Sequence, residues 1–412
     1  AAFYMVWGTD PIVPRIGFSV IGGFTCLAIY ALGRDLIGKR VGLFAAALAA
    51  GFPMLVVMSG LTITENLAVP LLTLSTLLAY RTRQSGRPID AIIAGFCLGL
   101  TALNRSVALA LIPIWSLIFV LSPHPLRHRL LLAGLLATTA ATTVLPWTVR
   151  NWAEFNEPIL VDDLSLTAMY LGNNPYFSAS PMWALDTGQP GAMLPFEVER
   201  QLAGLSRRER QALLLSLLLD FIANHPFEAA RLFLFKLWLF WAPYPHPADI
   251  ASWSATAALA LFGVIVTWRM RGQLLLLYAT IATLTLVHAA STALPRHRII
   301  LDGLILVLAA AGLAWFIEKL GQRSSRLSRL SQRPFFDFSI FGARIAITGN
   351  PSNAGAWSPF RETTDDNRQT RKGLTPAAGS TAAGDLRPTT TTDSPNGALN
   401  TPSIRSSGNA AS

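Results

Sequence analysis

The sequence predicts an all-α fold: a polytopic bundle of membrane helices with about ten spans, an extracytoplasmic insertion and a disordered C-terminal tail. Three observations carry it. Of 412 residues, 52% are hydrophobic and only 14% are charged, where a soluble domain carries roughly 25% charged residues. The mean hydropathy is +0.43. The apolar residues also come in long blocks, close to the length of about 20 that crosses a bilayer. This patterning excludes a secreted disulfide scaffold, a collagen, a wholly disordered chain and a plain cytosolic enzyme.

In chain order the spans are 16–33, 41–60, 66–80, 91–103, 106–121, 130–147, 227–242, 252–268, 274–293 and 299–317. The segment 91–103 is short and Arg105 follows it at once, so 91–103 and 106–121 are expected to form a tight hairpin turning at Asn104 and Arg105. Between spans lie Arg34, Lys39 and Arg40, then Arg81, Arg83 and Arg87, then Arg127 and Arg129. Placing these three loops in the cytoplasm sets the alternation of the first half. Ser59–Asn66 and the insertion 148–226 then face outside. Arg269, Arg271 and the run from Lys319 to Arg333 also belong inside, which leaves the crossings after 148 one out of step. Some stretch within 160–225 is then expected to cross or re-enter.

Within the insertion, Ser206-Arg207-Arg208-Glu209 has the pattern of a capping box. It heads the leucine-rich stretch Ala212 to Ile222, whose charges gather at its two ends and lay it on the membrane or the protein body. From residue 345, Pro, Gly, Ser, Thr, Ala and Asn dominate, and such a tail buries too little to offset ordering entropy. The expected division is membrane helices at 1–147, the insertion at 148–226 and further membrane helices at 227–320. A basic juxtamembrane segment at 321–344 and the tail at 345–412 complete it.

The net charge of +10 fits loops that hold a topology, and no basic stripe is interleaved with stacking aromatics, so no nucleic acid is expected as partner. Cys26 and Cys97 lie inside spans and read as packing residues. The chain opens at Ala1 without a charged leader, so no signal peptide is visible.

Charges at the membrane rim carry the chemistry. Glu65, at the outer start of a span, suits a general base toward an acceptor hydroxyl or a ligand to a divalent metal; beside Thr64 it equally suits an acid at a helix N-terminus. Arg105 suits a fork onto a phosphate, or a snorkelling anchor. Arg150 and Asn151 cap the outer end of a span, with Trp147 and Trp152 as an interfacial belt. Arg296, His297 and Arg298 form a dense positive cluster; facing outside, it breaks the positive-inside trend and points to an anion. His124 and His128 flank Pro125 among arginines and read as a solvated loop, while Gly172-Asn173-Asn174-Pro175 reads as a turn. No zinc-type pattern, Walker loop or GxSxG elbow occurs, so no metal ligands are assigned. Residues alone leave open a transporter or an integral-membrane enzyme.

Four stretches, in order, narrow this. They are Tyr30-Ala31-Leu32-Gly33-Arg34 through Gly38-Lys39-Arg40-Val41-Gly42-Leu43; Ser59-Gly60 leading to Thr64-Glu65; Ala94-Gly95 through Gly99-Leu100-Thr101-Ala102-Leu103-Asn104-Arg105; and Pro146-Trp147-Thr148-Val149-Arg150-Asn151, continuing to Gly172-Asn173-Asn174-Pro175. His225-Pro226 and Arg296-His297-Arg298 are weaker additions. Together they resemble the polyprenyl-phosphate-sugar-dependent membrane glycosyltransferases of the dolichyl-phosphate-mannose–protein mannosyltransferase type, which include the aminoarabinose transferases. The resemblance covers about residues 10–320.

It implies a GT-C type helical domain in the cell (inner or plasma) membrane, with its site at the extracytoplasmic face. The donor would be a sugar on a polyprenyl monophosphate, and a lipid, glycan or protein acceptor would displace the phosphate with inversion. The family's key acid lies in the first outer loop, and this chain opens at Ala1-Ala2-Phe3-Tyr4, just after that loop; the first span and first outer loop are expected to be missing from it. Asp10 falls at a turn before the family's second span and is not taken as catalyst. Glu65 falls where relatives place a second acidic residue near the active site, so the resemblance implies that the missing first-loop acid or Glu65 acts on the acceptor, with Glu65 the catalytic candidate of this chain and Arg105, Arg150, Asn151, Arg296 and Arg298 as substrate-binding residues. Arginines or a bound divalent metal would stabilise the departing phosphate. The alternative, a transporter or lipid flippase, needs internal repeats and polar span centres, where this sequence has mostly Thr, Ala and Gly.

Overall fold

A computed structural model of the chain describes residues 8, 10, 12–162, 165–175, 177 and 194–331, with 323–331 as backbone alone. The expectations for the opening residues, for 332–344 and for the tail 345–412 lie outside the described residues. Among the described residues all regular structure is helical, and the protein is a polytopic helical bundle. Four stretches, Ile12–Leu36, Leu126–Phe155, Pro247–Val266 and Pro295–Gln322, are each long and apolar enough to cross a membrane.

Helix α1 (Ile12–Leu36) exposes Ile16, Val20, Phe24 and Leu27, a lipid-facing stripe at helical spacing, and buries Ile29, Leu32 and Leu36. Helices α2 (Lys39–Gly51) and α3 (Pro53–Ser59) form the expected span 41–60, bent by 59° where Pro53 removes a donor and crowds the preceding turn. Helix α4 (Glu65–Ser85) ends on Gly86, whose left-handed φ of 66° closes the cap. Helix α5 (Pro88–Asn104) starts with Pro at its first turn. A 3-10 turn (Ser106–Ala110) leads to α6 (Leu111–Val120) and then to the long α7 (Leu126–Phe155). The expected hairpin is a turn without paired arms: α5 and α6 each pack along α7 and hardly touch one another.

The insertion holds α8 (Ser165–Gly172), α9 (Phe196–Leu202) and α10 (Arg207–Asn224). Both hydrogen bonds of the predicted capping box form between Ser206 and Glu209. Tyr170, Val198, Leu202, Leu214 and Leu218 make a small separate core, so α10 lies on the protein body. It meets α11 (Pro226–Trp241) at 105°. Helices α12 (Pro247–Val266), α13 (Leu275–Ala290), the single turn α14 (Pro295–Arg298) and α15 (Asp302–Ser331) complete the bundle. Within its most apolar window the last span is 78% buried against 28% for α1, α7 and α12, so α15 is the axis of the bundle. It packs on α12 backbone to backbone: a Cβ on Gly263 would strike the Leu308 carbonyl, and one on Gly312 the Leu259 carbonyl.

Cross-links sort the loops into two ends. At one, Arg81 bonds Asp35, Arg83 bonds the Gly272 carbonyl at 2.7 Å, and Gln273 reaches the Leu36 carbonyl at 2.8 Å and the Tyr80 hydroxyl at 2.9 Å. His124 and His128 bond the carbonyls of Arg83 and Gly86 at this end, so these histidines are loop ties and the expected solvated loop is pinned. At the other end Trp147 and Asn151 hold the return loop after α7. The insertion starts here and α11 finishes here. Lys236 bonds the carbonyl of Ser291, just beyond α13, while Phe240 stacks on His288 one turn deeper. Helix α11 thus runs against α13 and dips inward only at its C-terminus. Ala242, directly after it, is already bonded to Arg298.

Candidate functional site

The second end carries Glu65. Its position follows from local chemistry: Asn66 donates to the carbonyls of Met58 (2.8 Å) and Leu61 (2.6 Å), tying the 59–64 loop to the start of α4. Thr64 adds a hydroxyl donor to the Glu65 carboxylate at 3.2 Å. Glu65 itself is 1% exposed. Two guanidinium groups meet it, Arg105 from the end of α5 and Arg296 from α14. Both stay partly open to solvent, 23% and 33% exposed. So three of the residues singled out in the sequence converge, from segments up to 231 positions apart.

This geometry bears on the expected role of Glu65. A general base must lie within hydrogen-bond reach of the proton it takes. Here the carboxylate is buried and engaged by Arg105, Arg296 and Thr64. What Glu65 does is hold the two guanidinium groups side by side, and charge-assisted bonds of this kind give fixed directions. Nor does the donor set fit a divalent metal. Among the described residues no group of three or more His, Cys, Asp or Glu side chains could hold one, and at Glu65 the neighbours are cations.

Glu65 also forms part of the wall of a cavity of about 250 Å³ between α1, α2, α3 and α4. The rest of the lining is small and mostly apolar, including Gly22, Gly23, Cys26, Ala49, Met58 and Val69. The charged cluster therefore stands at one side of an apolar hollow.

The other predicted site residues lie apart from it. Asn151 is buried and spends its amide on the carbonyls of Ile159 (3.1 Å) and Val161 (3.4 Å), so it clasps the return loop. Arg150 is exposed, over the rings of Trp147 and Phe155 and bonded to Asn151, as an interfacial side chain would be. Arg298 corrects its expected role most clearly. It is 0% exposed, with its guanidinium carbon 3.5 Å from the centre of the Trp253 ring and Asp249 and Asp302 at 3.9 and 3.7 Å. A group sealed in this way has no surface to offer a phosphate.

Two features escaped sequence reasoning. Lys236 is fully buried and donates to Asn173 Oδ1 at 2.8 Å and the Ser291 carbonyl at 2.9 Å. A lysine inside the apolar run Leu232–Trp241 is the available signal. The Gly172-Asn173-Asn174 turn is its counterpart, since a Cβ on Gly172 would strike the Ser291 carbonyl and Asn173 donates to the Ala290 carbonyl at 2.8 Å. The second feature is the stack of His288 on His297, 4.6 Å between ring centres, beside Arg296 in the chain.

With this geometry in hand, comparison with known proteins adds the following. Residues 1–149 match the family described as dolichyl-phosphate-mannose-protein mannosyltransferase, the stretch that holds Glu65 and Arg105. The expected resemblance to membrane glycosyltransferases therefore stands. No curated protein matches the sequence. Among solved structures, the oligosaccharyltransferase AglB of Archaeoglobus fulgidus, in complex with an inhibitory peptide and a dolichol-phosphate, aligns with a TM-score of 0.46 at 16% identity, over 82% of this chain and 44% of that one. The apo form of the A. fulgidus enzyme gives the same values. Its complex with Zn and sulfate gives 0.43 at 16% identity, over 81% and 42%. The chain spans less than half the length of these structures.

Proposed function

We propose that this chain belongs to a glycosyltransferase of the cell membrane that moves a sugar from a polyprenyl-phosphate donor to a lipid, glycan or protein acceptor, with inversion. The observation that carries the reading is the meeting of Arg105 and Arg296 on Glu65 beside an apolar cavity. In the reaction the acceptor oxygen attacks the anomeric carbon, the bond from that carbon to the phosphate oxygen breaks, and the phosphate leaves with the electron pair. Negative charge grows on the phosphate as it departs, and preorganised donors aimed at developing charge lower the barrier. Arg105 and Arg296 fill that role, with Glu65 as the positioning residue between them. The isoprenoid chain lies in the apolar cavity, whose small side chains leave it room.

The end that carries Glu65 is the extracytoplasmic face in this reading. Support comes from the opposite end, which gathers Arg34, Arg81, Arg83 and the loop before α13 that follows Arg269 and Arg271. Because α11 begins and ends on the insertion side, it is not counted as a crossing. Nine crossings remain, and the loops after 148 fall into step with the positive-inside rule.

The test is transfer of labelled sugar from a polyprenyl-phosphate donor by membranes that contain the native protein, Arg105→Ala or Arg296→Ala. Each variant is expected to lose at least ~100-fold in turnover, the scale for removal of one oxyanion donor. Full transfer by both variants would overturn the reading. Labelled lipid that crosses the bilayer without transfer would identify a flippase.

A further inference from the structure

The single turn of α14 faces two ways. Arg296 points to Glu65 at the partly open cluster, while Arg298, two residues on, is sealed inside the bundle. Arg298 is gripped by three separate elements. Its Nη1 donates to the Ala242 carbonyl after α11 at 2.9 Å. On α12, Trp253 stacks under the guanidinium and Asp249 stands at 3.9 Å. Asp302, at the head of α15, lies at 3.7 Å. Asp249 in turn accepts from the Tyr244 backbone N–H at 2.7 Å, which closes the loop between α11 and α12 around the same point.

The segment is held on its other side as well. The Ser291 carbonyl is bonded by Lys236, and the His297 ring bonds the Thr292 carbonyl at 3.2 Å. The turn runs through Ile299–Leu301 straight into α15, so its backbone follows the last helix. Once Ser291 and Arg298 are fixed, the direction of the Arg296 side chain is restricted.

We propose that Arg298 is a positioning residue: it sets the Arg296 guanidinium beside Glu65 so that both arginines meet the phosphate of a polyprenyl-phosphate donor. The proposal rests on the reading of Arg105 and Arg296 given above. Planar guanidinium is required at this place because it stacks on Trp253 while Nη1 donates to the Ala242 carbonyl and its charge faces Asp249 and Asp302, which a point-like ammonium cannot do at once.

The test is a double-mutant cycle on the native protein in membranes, with Arg298→Lys, Arg296→Ala and both together. Two readouts are taken: turnover with the polyprenyl-phosphate-sugar donor, and thermal protection by farnesyl phosphate followed by fluorescence-detected size exclusion. Arg298→Lys keeps the charge between Asp249 and Asp302, and it is expected to lower kcat by about tenfold or more through misplacement of Arg296. Donor KM should stay within about twofold, since the interaction lost belongs to the transition state. Farnesyl phosphate is a dianionic monoester like the departing phosphate, unlike the monoanionic diester of the donor, so its protection should shrink with kcat. In the Arg296→Ala background the second substitution should change neither readout further, because residues that act through one group are not additive. Equal loss from Arg298→Lys in both backgrounds, or full turnover and protection in the single variant, overturns the proposal. If Arg298→Lys does not fold, Asp302→Asn enters the same cycle with the same expectations. A native protein that neither transfers sugar nor is protected by farnesyl phosphate brings down the phosphate reading itself, and this proposal with it. Protection lost in Arg296→Ala and kept in Arg298→Lys brings down this proposal alone.

Discussion

Each end of the bundle holds a carboxylate between two arginines, and the two triads differ in every respect that matters for chemistry. Asp35 takes Arg34, its neighbour in sequence, and Arg81 from the end of α4, at 2.7 Å each. Those arginines are 44% and 40% exposed, and the carboxylate is 18% exposed. Glu65 is 1% exposed, gathers its arginines from α5 and α14, and walls an apolar cavity. The same three groups thus tie loops at one end and form a candidate anion site at the other. Residue type does not decide between these outcomes; burial of the carboxylate and the sequence distance of its partners do.

Labelling with an impermeant maleimide separates the ends outright. Cysteine at Phe227, which is 92% exposed at the start of α11, should react in intact cells. Cysteine at Gln84, beside Arg83 at the opposite end, should react only after permeabilisation. Reaction at both positions in intact cells would break the assigned orientation. Glu65→Gln comes next in size. It leaves two guanidinium groups facing each other across a neutral amide, and transfer should fall by at least ~100-fold. Loss of charged hydrogen bonds should also cost about 1–3 kcal/mol of stability, read from thermal unfolding in detergent.

Asn151→Ala gives a smaller effect of a different kind. Two bonds to the return loop disappear, worth about 1 kcal/mol each, while donor KM should not move if Asn151 is a clasp and not a substrate ligand. A rise in KM without loss of stability would restore it to the site. Asp35→Asn is the smallest. An exposed pair contributes about 0–1 kcal/mol, so stability and transfer should both remain near the native values. A collapse of transfer here would show that the two triads are not as different as their burial indicates.

Much of this architecture is legible in the residues, because apolar periodicity and capping are local. All ten apolar stretches read from the sequence are helical, the box at Ser206 and Glu209 forms, and Pro53 bends the second stretch where a proline should. Glu65, Arg105 and Arg296 were each visible as charges at a rim. Their meeting was not, since no periodicity links positions separated by most of a chain. Arg298 and Arg296 are indistinguishable in the sequence for the same reason: neighbouring basic residues look alike until the turn of a helix sends one outward and one inward. Helix α11 reads as a span from length and composition alone, which do not report where its two ends lie. Its register against α13, through Lys236 and Phe240, is tertiary information.

The glycine contact between α12 and α15 has a consequence for that outer end. Gly263 and Gly312 let two main chains touch, and they thereby gauge the spacing of the whole helix pair. Asp249 on α12 and Asp302 on α15, which hold Arg298 between them, sit at the far end of the same pair, roughly 20 Å from Gly263 and roughly 15 Å from Gly312 along the axis at 1.5 Å per residue. A methyl group added deep in the hydrocarbon would act there as a shim. It would pry the two buried aspartates apart and loosen an arginine that it never touches.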